Sequence, residues 1–392
     1  MPRTPSDPAP GADPYRGYAA LRQRCPVQAV PSAAGGFPGH LVTGHAEARQ
    51  ALLDPALSKD TAAFFADRPS GRRIHPVLAQ SMLATDPPAH TRLRQLVAGA
   101  FSSGTVDRLR PYIHQLAEQL VDAFDPAGTD LVEALAAPLP VTVIGELLGV
   151  PEADRGHLRD LSGRLFAAGR PQTVDDASHA LAEYLDALVT AKRTTPGDDL
   201  LSRLLEARDG GGSPLTQFEL TSLASLLLVA GHETSTNAIG NAVLALLQNP
   251  DALARLRQDP GLVEGAVDEL LRYDSAVALA TFRWTQRPTR LGGQDLDAGR
   301  PVLVSLGAAN RDPLAFADPD RLDLDRDARA QLAFGHGIHR CLGAPLARAE
   351  LAIAVSTLLR RHPDVALAVP AEQLRWRETR LMRGLVALPV TL

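Results

Sequence analysis

At 392 residues the chain can bury a large core, and 45% hydrophobic with 22% charged residues is the composition of a globular protein in water. A formal charge of −5 leaves no footprint for nucleic acid or an acidic membrane surface, and two cysteines exclude a disulfide framework, which fits a reducing compartment. The Pro-rich start MPRTPSDPAPGADPY lacks the apolar core of a signal peptide, and runs such as LASLLLVAG at 223–231 fall short of the ~18 residues that span a bilayer, so a cytoplasmic protein is expected.

Residues 1–14 are expected to be a flexible terminus. Length alone suggests two or three domains, yet no linker divides the chain, and 15–392 is read as one domain. LVTG at 41–44 reads as a short strand and 45–53 as a helix. Residues 60–84 scatter rings and prolines without period, which predicts a long loop with at most a short helix. After DPPAHTRLRQLVAGAF, with Pro87 or Pro88 in a first turn, helical spacing dominates. Helices are expected at 107–124, 139–149, 153–168, 174–193, 197–207 and 216–247, between Pro250 and Pro260, and at 262–273 and 343–361. Asp199 and Asp251 stand near helix starts, where acidic groups favour the dipole. Between 277 and 305, TFRW, LGGQ and PVLVSLG predict short strands and turns, as does the C-terminal GLVALPVTL. The fold class is mainly α with a small β portion.

Several motifs fail. HETST at 232–236 starts like a zinc protease helix, but Thr236 stands where the second histidine is needed. There is no P-loop, no GxGxxG after a strand and no GxSxG elbow. Cys25, in RCPVQ, is assigned to packing near the N-terminal strand.

FGHGIHRCLG at 334–343 presents one sulfur among three glycines, before a helix. Glycines let backbone N–H groups approach a nearby atom, and a helix N-terminus adds positive potential; both favour a thiolate. Three readings compete. Cys341 is a buried cysteine in a turn; or His336, His339 and Cys341 bind zinc, although they lie close together with no fourth ligand; or one thiolate is the axial ligand of haem iron.

Phe334, Gly335, Gly337, His339, Cys341 and Gly343 fit every fixed position of F-G-x-G-x-H-x-C-x-G. The stretch resembles the haem-binding signature of cytochromes P450. That resemblance implies the P450 fold, haem b inside it and Cys341 as iron ligand, with Phe334, Gly335 and Gly343 forming the loop.

Three further stretches stand in the family's order. In SLLLVAGHETSTNAIG at 225–240, Leu227, Ala230, Thr234 and Ala238 share a helical face. Ala230 and Gly231 make it concave, and the Thr234 hydroxyl can bond the Ala230 carbonyl. Alone, this is a buried helix with an odd polar patch. By resemblance it is the helix over the distal haem face, where Glu233 and Thr234 deliver protons; Ser235 replaces a frequent second threonine. In DELLRYDSAV at 268–277, Glu269 and Arg272 lie three apart, alone an ordinary surface pair. It resembles the structural E-x-x-R of the family, although Ala276 replaces a frequent proline. DPPAHTRLR puts His90 and Arg94 one turn apart, alone a solvated basic helix. It resembles the helix that holds a haem propionate, with Arg283 and His339 completing the set. ANRDP at 309–313 and FADPDRLDLDR at 316–326 also look like P450 sequence, so the resemblance covers nearly the whole chain.

The implied activity is a monooxygenase that inserts one atom of O2 into an apolar substrate, with a polyketide- or macrolide-like secondary metabolite as the expected class. Aryl coupling, epoxidation and desaturation remain open, as does a non-catalytic haem sensor or carrier. Implied pocket walls are Leu226, Val229, Ala230, Ala278, Leu279, Leu381 and Met382, roofed by 60–84 and the connection near 166–174. Electrons are expected from NAD(P)H through a ferredoxin reductase and a ferredoxin that docks by Arg340 and Arg348, on a monomeric protein.

Overall fold

The computed structural model describes residues 13–31, 36–68, 73–166 and 171–392. Most of the flexible-terminus expectation and parts of the expected pocket roof, 69–72 and 167–170, lie outside the described residues. Helix α1 (Tyr15–Arg24), which sequence spacing did not reveal, leads into an antiparallel pair, β1 (Val27–Val30) and β2 (Gly39–Val42). α2 (His45–Leu53) and β3 (Leu57–Ser58) follow. The expected loop over 60–84 holds two short helices, α3 (Thr61–Phe65) and α4 (Pro76–Ala79), capped by the side chains of Asp60 and His75.

The helical body then runs through α5 (Ala89–Ala98), α6 (Ser103–Asp122), strand β4 (Thr129–Asp130), α7 (Pro138–Leu148), α8 (Glu152–Phe166), α9 (Pro171–Thr194) and α10 (Leu200–Glu206). α11 (Gln217–Leu247), α12 (Pro250–Gln258) and α13 (Val263–Tyr273) complete it. Caps explain several starts: Asp199 accepts from the N–H of Ser202, and Thr216 with Glu219 forms a capping box. α6 begins four residues before the predicted boundary because Ser102 caps it, and it buries Val106, Ile113, Ala117 and Val121 on one face.

The small sheets come next. β5 (Trp284–Thr285) pairs with β3, and β6 (Thr289–Leu291) turns through Gly292 and Gly293 into β7 (Gln294–Leu296). Both turn glycines have positive φ, +54° and +82°, as a two-residue hairpin loop of type I′ requires. β8 (Val302–Val304) adds in parallel to β2, and α14 (Leu306–Ala309) follows it. After α15 (Ala344–Arg361), β9 (Ala366–Leu367) and β10 (Pro389–Thr391) join β4.

α11 is the axis. It packs on α7, α9 and α15, and α15 packs in turn on α6 and α13. Their apolar faces form the main core, with separate clusters under α2 and under the β1–β2 sheet. No single described helix is long and apolar enough to cross a membrane.

Candidate active site

Cys341 closes a loop whose geometry is set by glycine. Its N–H donates to the Phe334 carbonyl at 2.8 Å. Gly335 and Gly337 hold φ of +68° and +76°, and a Cβ on Gly337 would lie 2.8 Å from the Leu52 carbonyl oxygen. The Arg348 guanidinium sits 4.5 Å over the Phe334 ring and donates to Asp268. Gly343 caps α15. Cys341 as a residue keeps accessible surface, although protein surrounds its thiol closely. Burial pushes the thiol up, outweighing the Gly343 N–H and the guanidinium groups of Arg94, Arg340 and Arg348. The Gly343 N–H acts in the expected direction, towards a thiolate, and desolvation is the larger opposing effect. Among the described residues no three His, Cys, Asp or Glu side chains converge as metal ligands, which removes support from the zinc reading. The His339 ring instead packs on His90 at 4.1 Å.

α11 is buried along nearly all of its length. Between Leu220 and Leu246 the positions that retain surface are Leu226, Val229, Ala230, Gly231 and Thr234, and they form one helical stripe. Thr234 Oγ1 donates to the Ala230 carbonyl at 2.9 Å, as the sequence suggested. Gly231 serves a different purpose from the expected concavity: a Cβ there would meet Ile144 at 2.9 Å, so glycine permits the close contact of α11 with α7. Glu233 is buried and its Oε2 accepts from Arg377 at 2.7 Å. Burial raises its carboxyl, but His232 and Arg377 prevail and hold it below the usual range. Beside Ser235, the buried Glu350 of α15 is pushed up to about 8 by desolvation. Ser235 pulls it the other way, although neither carboxyl oxygen meets hydrogen-bond geometry.

The wall residues from distant parts of the chain are joined by backbone. The N–H groups of Ala278 and Leu279 donate to the Leu381 carbonyl at 2.9 and 3.3 Å, and Val277 pairs with Met382. Asn241 of α11 donates to the Arg383 carbonyl and ties this wall to the stripe. Leu279 and Leu381 also pack into the cluster under the β1–β2 sheet.

A basic cluster gathers beside this space. Lys59, His90 and Arg283 are buried, Arg94 is partly buried, and His339 lies on His90. Lys59 donates to Thr281 Oγ1, Arg283 to the Thr281 carbonyl at 2.9 Å, and Arg94 to the Arg340 carbonyl at 2.7 Å. Burial pulls Lys59 well below its ordinary value and Arg283 down to about 10. Burial, then Lys59, His90, Arg283 and Arg94, drives His339 down to about 2. Asp86 is the acid that opposes these shifts at Lys59, His90 and Arg283.

The E-x-x-R pair lies inside the protein, not at its surface. Arg272 donates to Glu269 at 2.6 and 2.8 Å, and also to the carbonyls of Asn310, Pro319 and Arg321. Glu269 accepts in addition from the Asp323 N–H and Arg326. Asn310 in turn accepts from the Leu332 N–H, two residues before Phe334. The pair thus fixes the segment that delivers the cysteine loop.

The family model for cytochrome P450 matches residues 168–363. Cytochrome P450 107B1 of Saccharopolyspora erythraea is 46% identical over 98% of this chain and 96% of its own. The 6-deoxyerythronolide B hydroxylase of the same organism is 40% identical, covering 96% of each. The structure of the tirandamycin C-bound P450 monooxygenase TamI superimposes with a TM-score of 0.90 at 43% identity, covering 97% of each chain. The chain belongs to the cytochrome P450 family. As a P450 it is a monooxygenase that uses haem b and O2, with electrons from redox partners and a small-molecule substrate.

The residues present fit that group. Haem carries two carboxylates, and here two imidazoles, two guanidiniums and an ammonium converge with Asp86 as the acid beside them. His90 Nδ1 and His339 Nε2 are buried without a protein partner. Sequence reasoning found four of the five bases; Lys59, in LSKD, carries no local signal. It also missed Arg377 and Glu350, whose partners lie more than a hundred residues away.

Proposed function

We propose that this P450 hydroxylates an apolar secondary metabolite of polyketide or macrolide type, within one catalytic domain over 15–392. The observation that carries the reading is the accessible stripe Leu226, Val229, Ala230, Gly231 and Thr234 on an otherwise buried helix: apolar, made largely of small residues, and ending at a hydroxyl. The named relatives, a 6-deoxyerythronolide B hydroxylase and a protein holding tirandamycin C, support that substrate class.

Each site residue then takes a role. Cys341 Sγ binds the iron; a metal ion deprotonates a coordinating thiol, so burial of the free thiol is no obstacle. The loop of Phe334, Gly335 and Gly343 holds the sulfur in place, braced by Glu269 and Arg272 through the 310–332 segment. Lys59, His90, Arg94, Arg283 and His339 hold and orient the carboxylates. When bound, the haem supplies O2 activation and C–H oxidation, which thiolate ligation favours. Leu226, Val229, Ala230, Ala278, Leu279, Leu381 and Met382 exclude water and position the substrate. Thr234 Oγ1, fed by Glu233, moves protons to the distal side. A redox protein, by this reading a ferredoxin, docks near Arg340, which is exposed. Arg348 is reassigned: its charge is spent on Asp268 and its plane on Phe334, so it braces the loop.

The test is spectral titration of the haem-loaded protein with macrolactones, linear polyketides, terpenes and fatty acids. A Soret shift of micromolar affinity confined to the polyketide compounds supports the assignment. A response to fatty acids or terpenes alone overturns the substrate class, and loss of the red-shifted carbon monoxide band failing to follow Cys341→Ser overturns the ligand.

A further inference from the structure

The neighbour of Glu233 on α11 is a histidine whose hydrogen bonding fixes its tautomer. His232 is 1% exposed and its Nδ1 lies 2.8 Å from the Leu228 carbonyl oxygen. A carbonyl only accepts, so Nδ1 carries a hydrogen. The other ring nitrogen, Nε2, is buried without a hydrogen-bond partner and lies 3.7 Å from Glu233 Oε1. Glu233, 5% exposed, is engaged through its other oxygen by Arg377. Around the pair, α8 places Gly163 against Glu233 Oε1, and α7 contributes Ile144 against Gly231 of the same turn. Arg377 is the charged group that these contacts bring against it.

With Nδ1–H fixed, Nε2 and a carboxylate oxygen would face each other lone pair to lone pair. In a buried site that arrangement is costly, and one proton between them removes the cost. Resting on the proton-delivery reading of Glu233, we infer that His232 is a positioning residue that keeps one exchangeable proton beside Glu233 and restores it after each transfer. The step is a proton movement alone. His232 Nε2–H passes H⁺ to Glu233 Oε1, Glu233 passes it to the Thr234 oxygen as that hydroxyl gives up its own hydrogen towards the substrate space, and one H⁺ from solvent restores Nε2–H; no electrons move within the relay. Arg377 alone would hold Glu233 as a permanently charged acceptor, and a second base in contact makes the acid refillable.

The experiment compares His232→Gln with Glu233→Gln in the haem-loaded enzyme. Glutamine retains size and can donate to the Leu228 carbonyl, but it carries no exchangeable cationic proton. In His232→Gln we expect unchanged substrate affinity and first reduction, and a ratio of peroxide to product raised by at least about tenfold. That ratio also loses its dependence on pH. Nitrogen NMR of histidine-labelled, carbon monoxide-bound reduced enzyme should show a His232 signal in the Nδ1–H form whose Nε2 exchanges a proton, absent in the variant. A glutamine variant with the parent's pH profile, or a ring found as the Nε2–H neutral form, overturns the inference while leaving Glu233 in place. If Glu233→Gln itself leaves coupling intact, the underlying reading of Glu233 fails and takes this one with it.

Discussion

Arg272 and Glu269 meet through two hydrogen bonds with 0% and 1% of their side-chain surfaces exposed, and Arg272 serves three backbone carbonyls besides. Removing one member of a buried pair leaves the other uncompensated, which costs about 3–5 kcal/mol. Arg272→Ala is therefore expected to lose that much in urea unfolding and to accumulate without haem. Arg272→Lys should fail similarly, because an ammonium lacks the planar fork that reaches Glu269 and the carbonyls together. An unchanged urea midpoint in either variant would contradict the bracing role.

The cysteine loop offers a comparison of two glycines. Both Gly335 and Gly337 have positive φ, which a side chain resists by about 1–2 kcal/mol. A Cβ on Gly335 has open space around it, whereas one on Gly337 strikes the Leu52 carbonyl oxygen. Gly337→Ala should lower the melting temperature more than Gly335→Ala and broaden the Soret band of the loaded protein. Equal effects would show that the contact with α2 is not what restricts residue 337.

Gly231→Ala tests whether the glycine of the distal helix serves packing. The new methyl would sit 2.9–3.0 Å from Ile144 Cγ1 and Cδ1. Overpacking of this kind costs about 1–3 kcal/mol. The double variant with Ile144→Val or Ile144→Ala should recover part of the loss, since the partner is an aliphatic side chain. A thermal-denaturation double-mutant cycle with no coupling would exclude it.

Glu350 should make stability depend on pH. Its folded value of about 8 lies above that of an unfolded glutamate, so the folded state favours the neutral acid. The stability tied to this group is fully present below the unfolded value and is lost as pH rises toward about 8. Glu350→Gln removes that dependence. Calorimetry from pH 5 to 9 should show the variant gaining on the parent as pH rises; a constant difference would mean that Glu350 stays ionised.

Haem removal and Lys59 are linked. Without the two carboxylates, Lys59, His90, Arg94 and Arg283 face one another with Asp86 as the acid nearby. Lys59→Met should raise the melting temperature of the haem-free protein and speed haem loss from the loaded one. Thermal melts and transfer of haem to apomyoglobin measure the two effects. The same sign for both would place Lys59 outside the propionate site.

The sequence by itself determined what depends on near neighbours. Helix α2 was bounded to the residue, His45–Leu53, by apolar spacing, and α11 by Thr216 and a periodic run ending at Leu247. The cysteine loop was legible because positive φ at Gly335 and Gly337 admits little but glycine, which leaves a mark in the residue type itself. The bond from Thr234 to the Ala230 carbonyl was legible because four residues make one helical turn. Only the tertiary structure decided which charges lie inside and what they meet. Glu269–Arg272, three residues apart, reads as a surface pair until the 310–326 segment closes over it. Lys59 beside Thr281, Arg377 on Glu233 and Glu350 beneath Ser235 have partners 222, 144 and 115 positions away. Burial, and the pKa shift that follows from it, is a property of everything packed around a group, and no window of local sequence contains that information.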